Sequence, residues 1–275
     1  MSYVIPHLVN YVGNHWSIGN HFFEFATAYA FAKKTGRELV LPRKNIEVPA
    51  EDFVYHGWYA GMAKWVGDMK VGSLAMYKEP AFAYKQIPNG PYTTVILYGY
   101  FQSSKYFADC RADLLEILQP EQEIKDLTQA RWGFLLNNVT ESMVLVHARR
   151  TDYLKAAAIH NPLPPLYYEN AFQEIKKHVK NPIFILVSDE PDYWKTVHIP
   201  GSYMVVDESD ARVSLHFMTH FKNYIIANST FSWWSAYLSK AEGKRVLAPE
   251  IWFGPEGFPD YQDIYEDGWI KVSQV

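Results

Sequence analysis

The sequence predicts an α/β protein built on parallel sheets and divided into two domains. Three observations predict it. Short, β-branched apolar runs recur through the C-terminal half, at 142–148, 183–189, 203–207, 224–228 and 244–249. Helical patterns separate them, at about 165–180, 191–197, 210–222 and 231–241. Strands that are apolar throughout and alternate with helices belong to a sheet covered on both faces. Finally, 275 residues that are 48% hydrophobic and 20% charged bury a sizeable core, and that length fits two domains.

The N-terminal half follows the same plan less regularly. "YVIPHLV" reads as a first strand. "GNHFFEFATAYAFAKKTG" (19–36) is an amphipathic helix, closed by Lys33, Lys34 and Gly36. "ELVLP" and "TTVILYGYF" (93–101) read as further strands. Residues 43–92 are irregular and rich in Gly, Trp and Tyr, long for a connection, and read as a functional insertion or lid. The stretch 103–137 reads as two helices broken near Pro120. A boundary near 138–142, at "NNVTES", gives an N-terminal domain over 1–138 and a C-terminal domain over 139–275. Two such domains facing one another leave a cleft at the C-terminal ends of their strands, where open α/β sheets bind ligands.

Charge and composition exclude several classes. A net charge of −4 argues against a protein that coats nucleic acid or an anionic membrane. One cysteine, Cys110, forms no internal disulfide and suits a reducing compartment. The N-terminus "MSYVIPHLVNYV" lacks the basic region of a signal peptide, and no run approaches the ~20 apolar residues of a membrane span. The expectation is a soluble, cytoplasmic protein; peripheral membrane contact and oligomeric state stay open. The 20 Tyr, 16 Phe and 9 Trp are mainly core, but such an excess also accompanies sugar handling, because pyranose faces stack on rings.

Four stretches carry chemistry. In "VLVHARRTDYLK" (144–155), strand alternation sends His147 and Arg149 to one face and Arg150 to the other. Asp152 lies where it reaches back to one arginine. The stretch is either an Arg–Asp staple or a guanidinium fork for a diphosphate. In "YIIANSTFSWWSAYLSKA", Asn228, Ser229, Thr230, Phe231 and Ser232 lead from a strand into an aromatic helix. An N-cap needs one such residue. The surplus favours an anion held at the helix N-terminus. Trp233 and Trp234 read as core.

In "VGNHWSIGNHFFEFA", Gly13, Gly19 and Asn20 fall in the turn before the first helix, where glycine lets backbone approach a ligand. The pattern is neither a complete GxGxxG nor a phosphate loop. His15 and His21 lack a third ligand at useful spacing, so no metal is expected. In "ILVSDEPDYW", Ser188 and Asp189 sit at a strand end, either as a cap or as an acid that recognises a ribose hydroxyl or a base edge.

Taken together, "SIGNHFFEFATAYAFA", "LYGYFQSSKYF", "VHARRTDYL", "FILVSDEPDYW" and "NYIIANSTFSWWSAYL" followed by "PEIWF" resemble, in order, the motifs of glycosyltransferase family 11, the α-1,2-fucosyltransferases. The resemblance covers nearly the whole chain. It implies a GT-B-type architecture of two Rossmann-like domains facing a central cleft. It implies GDP-L-fucose as donor, transfer to a hydroxyl of an acceptor oligosaccharide or glycoconjugate (the 2-OH of a galactoside) with inversion, and no metal or nucleic acid.

By position, Arg149 would bind the donor diphosphate, assisted by His147, with Arg150 paired to Asp152 and the two shaping the site. Residues Asn228 to Ser232 would cradle the diphosphate, and Gly19 and Asn20 would line the opposite side. Glu24, His15 and Asp52 are candidates for the general base. There are departures: Thr151 replaces a usual Gly, His21-Phe22 a usual Gln-Met, and Ser214 an acid. With Ser214 there, guanine would be read through Asp210 or His216. The readings that compete are the same fold with another nucleotide-sugar donor, and a non-catalytic glycan-binding protein.

Overall fold

The computed structural model describes residues 2–6, 18–42, 65–67 and 72–275. The chain forms two compact units. The first spans Met1–Ile124 and takes in Gln262–Ile264. It begins with β1 (Tyr3–Pro6), α1 (Ile18–Thr35), β2 (Glu38–Leu39), β3 (Leu41–Pro42) and β4 (Val66–Gly67). β5 (Leu74–Lys78), β6 (Thr94–Tyr98) and α2 (Arg111–Ile117) follow. The main sheet has the order β2-β1-β6-β5, parallel throughout, and β3 pairs separately with β4.

α1 forms because small and aromatic residues cover most of its surface; Phe22, Phe23, Phe25, Ala26 and Ala28 are fully buried. Lys33 and Lys34 lie in its last turn, and Gly36 leaves it at φ +67, the left-handed exit that glycine tolerates. "ELVLP" is split at Val40 into β2 and β3, which serve different sheets. β5 lies within the stretch read as irregular. Its alternation is hard to see because Leu74 and Met76 are exposed on an edge strand. Residues 43–64 and 68–71 of that stretch lie outside the described residues.

The second unit spans Lys125–Tyr261 and Tyr265–Val275. α3 (Gln122–Leu136) leads into β7 (Met143–Ala148), α4 (Thr151–Lys155), α5 (Ala157–His160), α6 (Pro165–Lys176) and β8 (Ile183–Ser188). Then come β9 (Tyr203–Val206), α7 (Ala211–Met218), β10 (Asn223–Ile225), α8 (Thr230–Leu238), β11 (Arg245–Pro249) and β12 (Ile270–Val272). The units divide within α3, earlier than the stretch 138–142. The reason is packing: Trp132 lies 5.5 Å from Phe217, Arg131 Nη1 meets Glu208 at 2.8 Å, and Trp132 Nε1 donates to Glu208 at 2.9 Å.

The second sheet has the order β12-β11-β10-β7-β8-β9 and is parallel throughout. From β7 the chain winds outward to β9, then returns to β10 and winds the other way. The order therefore reverses between β7 and β10, and such a switch point opens a crevice at the strand ends. The first sheet does not reverse in this way: β5 lies at its edge and β6 returns inward to pair with β1. Val144, Val146, Phe184, Leu186, Ile225 and Leu247 of the second sheet pack with Tyr167, Tyr168, Phe172 and Ile175 of α6. Each such burial contributes about 1.5–3 kcal/mol. Trp233 and Trp234 are fully buried, as expected of core. Among the described residues, no helix is long and apolar enough to cross a membrane.

Candidate functional site

The chain leaves β7 at Ala148 and turns at once into α4. The first N–H groups of that short helix have no side-chain cap of their own. They are met by Asp189, at the end of the neighbouring strand β8. Its carboxylate accepts from Arg150 N at 2.9 Å, Thr151 N at 3.3 Å and Thr151 Oγ1 at 2.6 Å. The same carboxylate stands 3.4 Å from Arg149 Nη1, while Arg149 Nε donates to Asp152 Oδ1 at 2.8 Å. Burial opposes the charge on Arg149, but Asp152 and Asp189 more than offset it, so its pKa lies above the ordinary value. The result is an oriented guanidinium with a third of its side chain exposed.

Arg150 goes elsewhere. Its guanidinium lies 4.1 Å above the Tyr193 ring, Nη1 donates to Leu163 O at 3.2 Å, and Nε is 3.9 Å from Glu190. The expected pairing of Arg150 with Asp152 is therefore corrected: Asp152 holds Arg149. Once the chain enters α4, the i,i+3 spacing sets Asp152 beside Arg149, and the strand's alternation sends Arg150 under the opposite face.

His147 is 4% exposed, its ring is 5.6 Å from Phe231, and its Nδ1 has no hydrogen-bond partner among the described residues. Burial pulls its pKa down to about 4, helped by Arg149 and opposed by Asp189. It is neutral at pH 7 and brings shape and a hydrogen-bonding nitrogen rather than charge to the site. Unfolding frees it to titrate near 6.5, so the unfolded chain binds a proton that the folded one does not between pH 6.5 and about 4. Stability is full above that window and falls as pH drops through it. From pH 7 to pH 5 this histidine is expected to lower the unfolding free energy by about 2 kcal/mol. Urea denaturation at both pH values checks it, with His147→Gln losing distinctly less than the parent.

The turn into α8 has more structural work than the sequence suggests. Ser229 is extended, at φ −129 and ψ 131, and its hydroxyl caps Phe231 N at 3.3 Å. Ser232 is fully buried and donates to Ala227 O and Ser229 O, both at 3.2 Å. Asn228 Nδ2 donates to three carbonyls, those of His160, Asn161 and Trp252. Asn228 and Ser232 are thus braces of the frame. Thr230 and Phe231 are the partly exposed residues of this first turn, where a helix presents N–H groups and the positive end of its dipole.

Tyr153, which the sequence does not mark as a site residue, joins the two halves of the site. Its hydroxyl donates to Asn228 O at 3.0 Å, so one bond spans the switch point from the loop after β7 to the loop after β10. Its ring lies 6.0 Å from the Arg149 guanidinium and stacks on His160 at 4.4 Å. The available signal was its spacing, four residues after Arg149 at a helix start.

The remaining expected residues divide. Ser188 is buried and its hydroxyl accepts from Glu190 N at 3.0 Å, closing a local turn. Asp189 is occupied by α4 and Arg149 rather than presented to a ribose. Asp210 caps α7 through Arg212 N at 2.9 Å and pairs with Arg212 Nη2 at 2.7 Å. Ser214 is buried against Met218. His216 contacts Thr128 Oγ1 at 3.1 Å, and burial lowers its pKa to about 4. α7 runs from the end of β9 back toward the start of β10, so His216 is not brought to the strand ends where Arg149 stands. In the first unit, Gly19 and Asn20 lie inside the first turn of α1 rather than before it. Asn20 Oδ1 accepts from Gln102 Nε2 at 2.9 Å. Glu24 is 1% exposed. Gly13, His15 and Asp52 lie outside the described residues.

Comparison with known proteins agrees with this organisation. Residues 64–273 match the family model of Glycosyl transferase family 11. The O-antigen biosynthesis glycosyltransferase WbnK of Escherichia coli is 31% identical over 198 residues, which is 68% of this chain and 62% of that protein. An alpha-1,2-colitosyltransferase of the same organism is 26% identical over 204 residues, 69% of this chain and 67% of that one. The chain thus spans under two thirds of the length of WbnK. The fold matches that of NodZ alpha-1,6-fucosyltransferase from Bradyrhizobium, in a crystal soaked with GDP-fucose. The TM-score is 0.52 at 13% identity, over 86% of this chain and 92% of that one. Its architecture is accordingly of the GT-B type. The chain belongs to glycosyl transferase family 11.

Proposed function

We propose that the protein transfers L-fucose from GDP-fucose to the 2-OH of a galactoside in an acceptor glycan, with inversion at the anomeric carbon and without a metal. The observation that carries this reading is Arg149, oriented by two carboxylates beside the N-terminus of α8 at the switch point of the second sheet. Breaking the bond between sugar and phosphate pushes negative charge onto the departing diphosphate. A planar guanidinium fork and a helix N-terminus, both fixed beforehand, stabilise that charge in the transition state. The second unit is accordingly the donor side and the first the acceptor side. A general base takes the proton of the attacking hydroxyl; Glu24, His15 and Asp52 are its candidates. Family membership supports the reaction class, and the NodZ crystal soaked with GDP-fucose supports the donor.

A second reading keeps the reaction and changes the sugar. The colitosyltransferase relative favours it. The test incubates the protein with GDP-fucose, GDP-colitose and UDP-sugars, each with a panel of galactosides and with EDTA present, and determines the product linkage. The expected product is an α-1,2-fucosylated galactoside, with GDP released at the same rate with and without EDTA. Turnover confined to GDP-colitose selects the second reading, and loss of activity in EDTA refutes the metal-free step.

A further inference from the structure

The first unit contains a device that the donor site does not use. Glu79 follows the end of β5 and stays tied to the sheet, its N–H donating to Tyr98 O at 2.8 Å. Its carboxylate reaches over the end of β6. Oε2 accepts from Tyr100 N at 2.7 Å and Phe101 N at 3.0 Å, and Oε1 from Phe101 N at 3.1 Å. Hydrogen bonds to an ionised acceptor are among the stronger ones, and here two successive N–H groups share one carboxylate. Phe101 is held at φ +52, a left-handed conformation that a bulky residue rarely adopts. Its ring is fully buried beside Tyr106 at 5.3 Å and Tyr77 at 6.4 Å, so packing and the carboxylate enforce the same bend. Gly99 makes room for it. A Cβ there would stand 2.3 Å from Glu79 Cβ and 2.6 Å from Oε2.

The bend delivers Gln102. That side chain is 6% exposed, and its Nε2 donates to Oδ1 of the partly buried Asn20 at 2.9 Å. Gln102 follows β6 and Asn20 follows β1, and β1 and β6 are paired, parallel neighbours. The amide pair therefore stands beyond the carboxyl ends of two adjacent strands, the edge at which open α/β sheets bind ligands. An amide carries donors and an acceptor side by side, which suits neighbouring hydroxyls of a sugar.

We infer that Glu79 is a positioning residue for a sugar subsite in the first unit. By holding the backbone of Tyr100 and Phe101 it sets Gln102, which orients the Asn20 amide toward hydroxyls of the acceptor glycan. This rests on the glycosyltransferase reading above for the identity of the sugar as acceptor.

The test uses the full chain with Glu79→Ala and Glu79→Gln. GDP binding is read by calorimetry, N-acetyllactosamine binding by saturation-transfer NMR, and both KM values by turnover with GDP-fucose. Glu79→Ala is expected to weaken N-acetyllactosamine binding and raise acceptor KM by about tenfold or more, the scale of losing hydrogen bonds to a charged group. GDP affinity and donor KM should stay within about twofold of the parent, because the donor site lies in the other unit. Glu79→Gln keeps an oxygen for both N–H groups and should restore most acceptor binding. Should Glu79→Ala fail to fold, Gln102→Ala, which removes the tether on Asn20, must show the same separation of acceptor from donor.

Unchanged acceptor affinity in these variants, or equal loss of GDP and acceptor, overturns the assignment. A parent protein that binds GDP but no galactoside also overturns it and leaves the donor reading standing. One that binds N-acetyllactosamine but not GDP refutes the donor reading and leaves the sugar subsite in place.

Discussion

Arg149→Ala is expected to lower transfer by about 10³-fold while the protein still folds, the loss typical of a group that stabilises charge developing in the transition state. The fold should survive because Asp189 keeps its three hydrogen bonds to Arg150 and Thr151 when Arg149 is removed. Asp152 is well exposed, and an ion pair of that kind is worth at most about 1 kcal/mol. Arg149→Lys should fail by about 10- to 100-fold, since an ammonium supplies charge without the fork. Arg150→Ala should do the reverse. It removes a guanidinium stacked on Tyr193 and bonded to Leu163 O, and so costs about 1–3 kcal/mol of stability before it costs activity. Steady-state kinetics beside thermal melts separate the two arginines. An Arg149→Ala enzyme with near-normal turnover would sink the role assigned here.

Asn228→Asp is expected to destabilise the protein by about 3–5 kcal/mol, read from the urea midpoint. The amide nitrogen of Asn228 serves three carbonyl oxygens in a side chain that is 3% exposed. A carboxylate there would set an oxygen against three oxygens, with its charge buried. The carbonyls of His160 and Asn161 would lose their donor, and with them the short helix that carries the ring stacked on Tyr153. A residue that only held phosphate would show lost donor affinity and an unchanged melt; that outcome would return Asn228 to the binding surface.

Much of this site was legible because its signals are local. Three consecutive apolar residues ending in His147 and Arg149 announce a buried strand that runs out at a charged turn. A serine just before "TFSWW" announces a helix start. Both readings depend on residues within one or two turns of each other, where periodicity and capping chemistry act. The same local logic misjudged Asn228 and Ser232. Cap residues look alike in sequence whether they face a ligand or the protein's own carbonyls. β5 escaped for a related reason: an edge strand exposes Leu74 and Met76, and the contrast that marks a half-buried strand weakens.

The alternation of apolar runs with helices was enough, by itself, to set the α/β class and the parallel sheets. A strand buried on both faces has to be apolar along its length. Composition and local spacing also located Arg149 and Ser229 at strand ends. Which carboxylate holds which arginine was decided only by the tertiary structure. β8 lies beside β7, so Asp189 arrives from far along the chain to cap α4 and steady Arg149. β10 lies on the other side, so α8 begins next to that same loop. Hydrogen-bond partners at a strand end are set by which strands are neighbours, and strand order is a property of the assembled sheet that no short stretch of sequence contains.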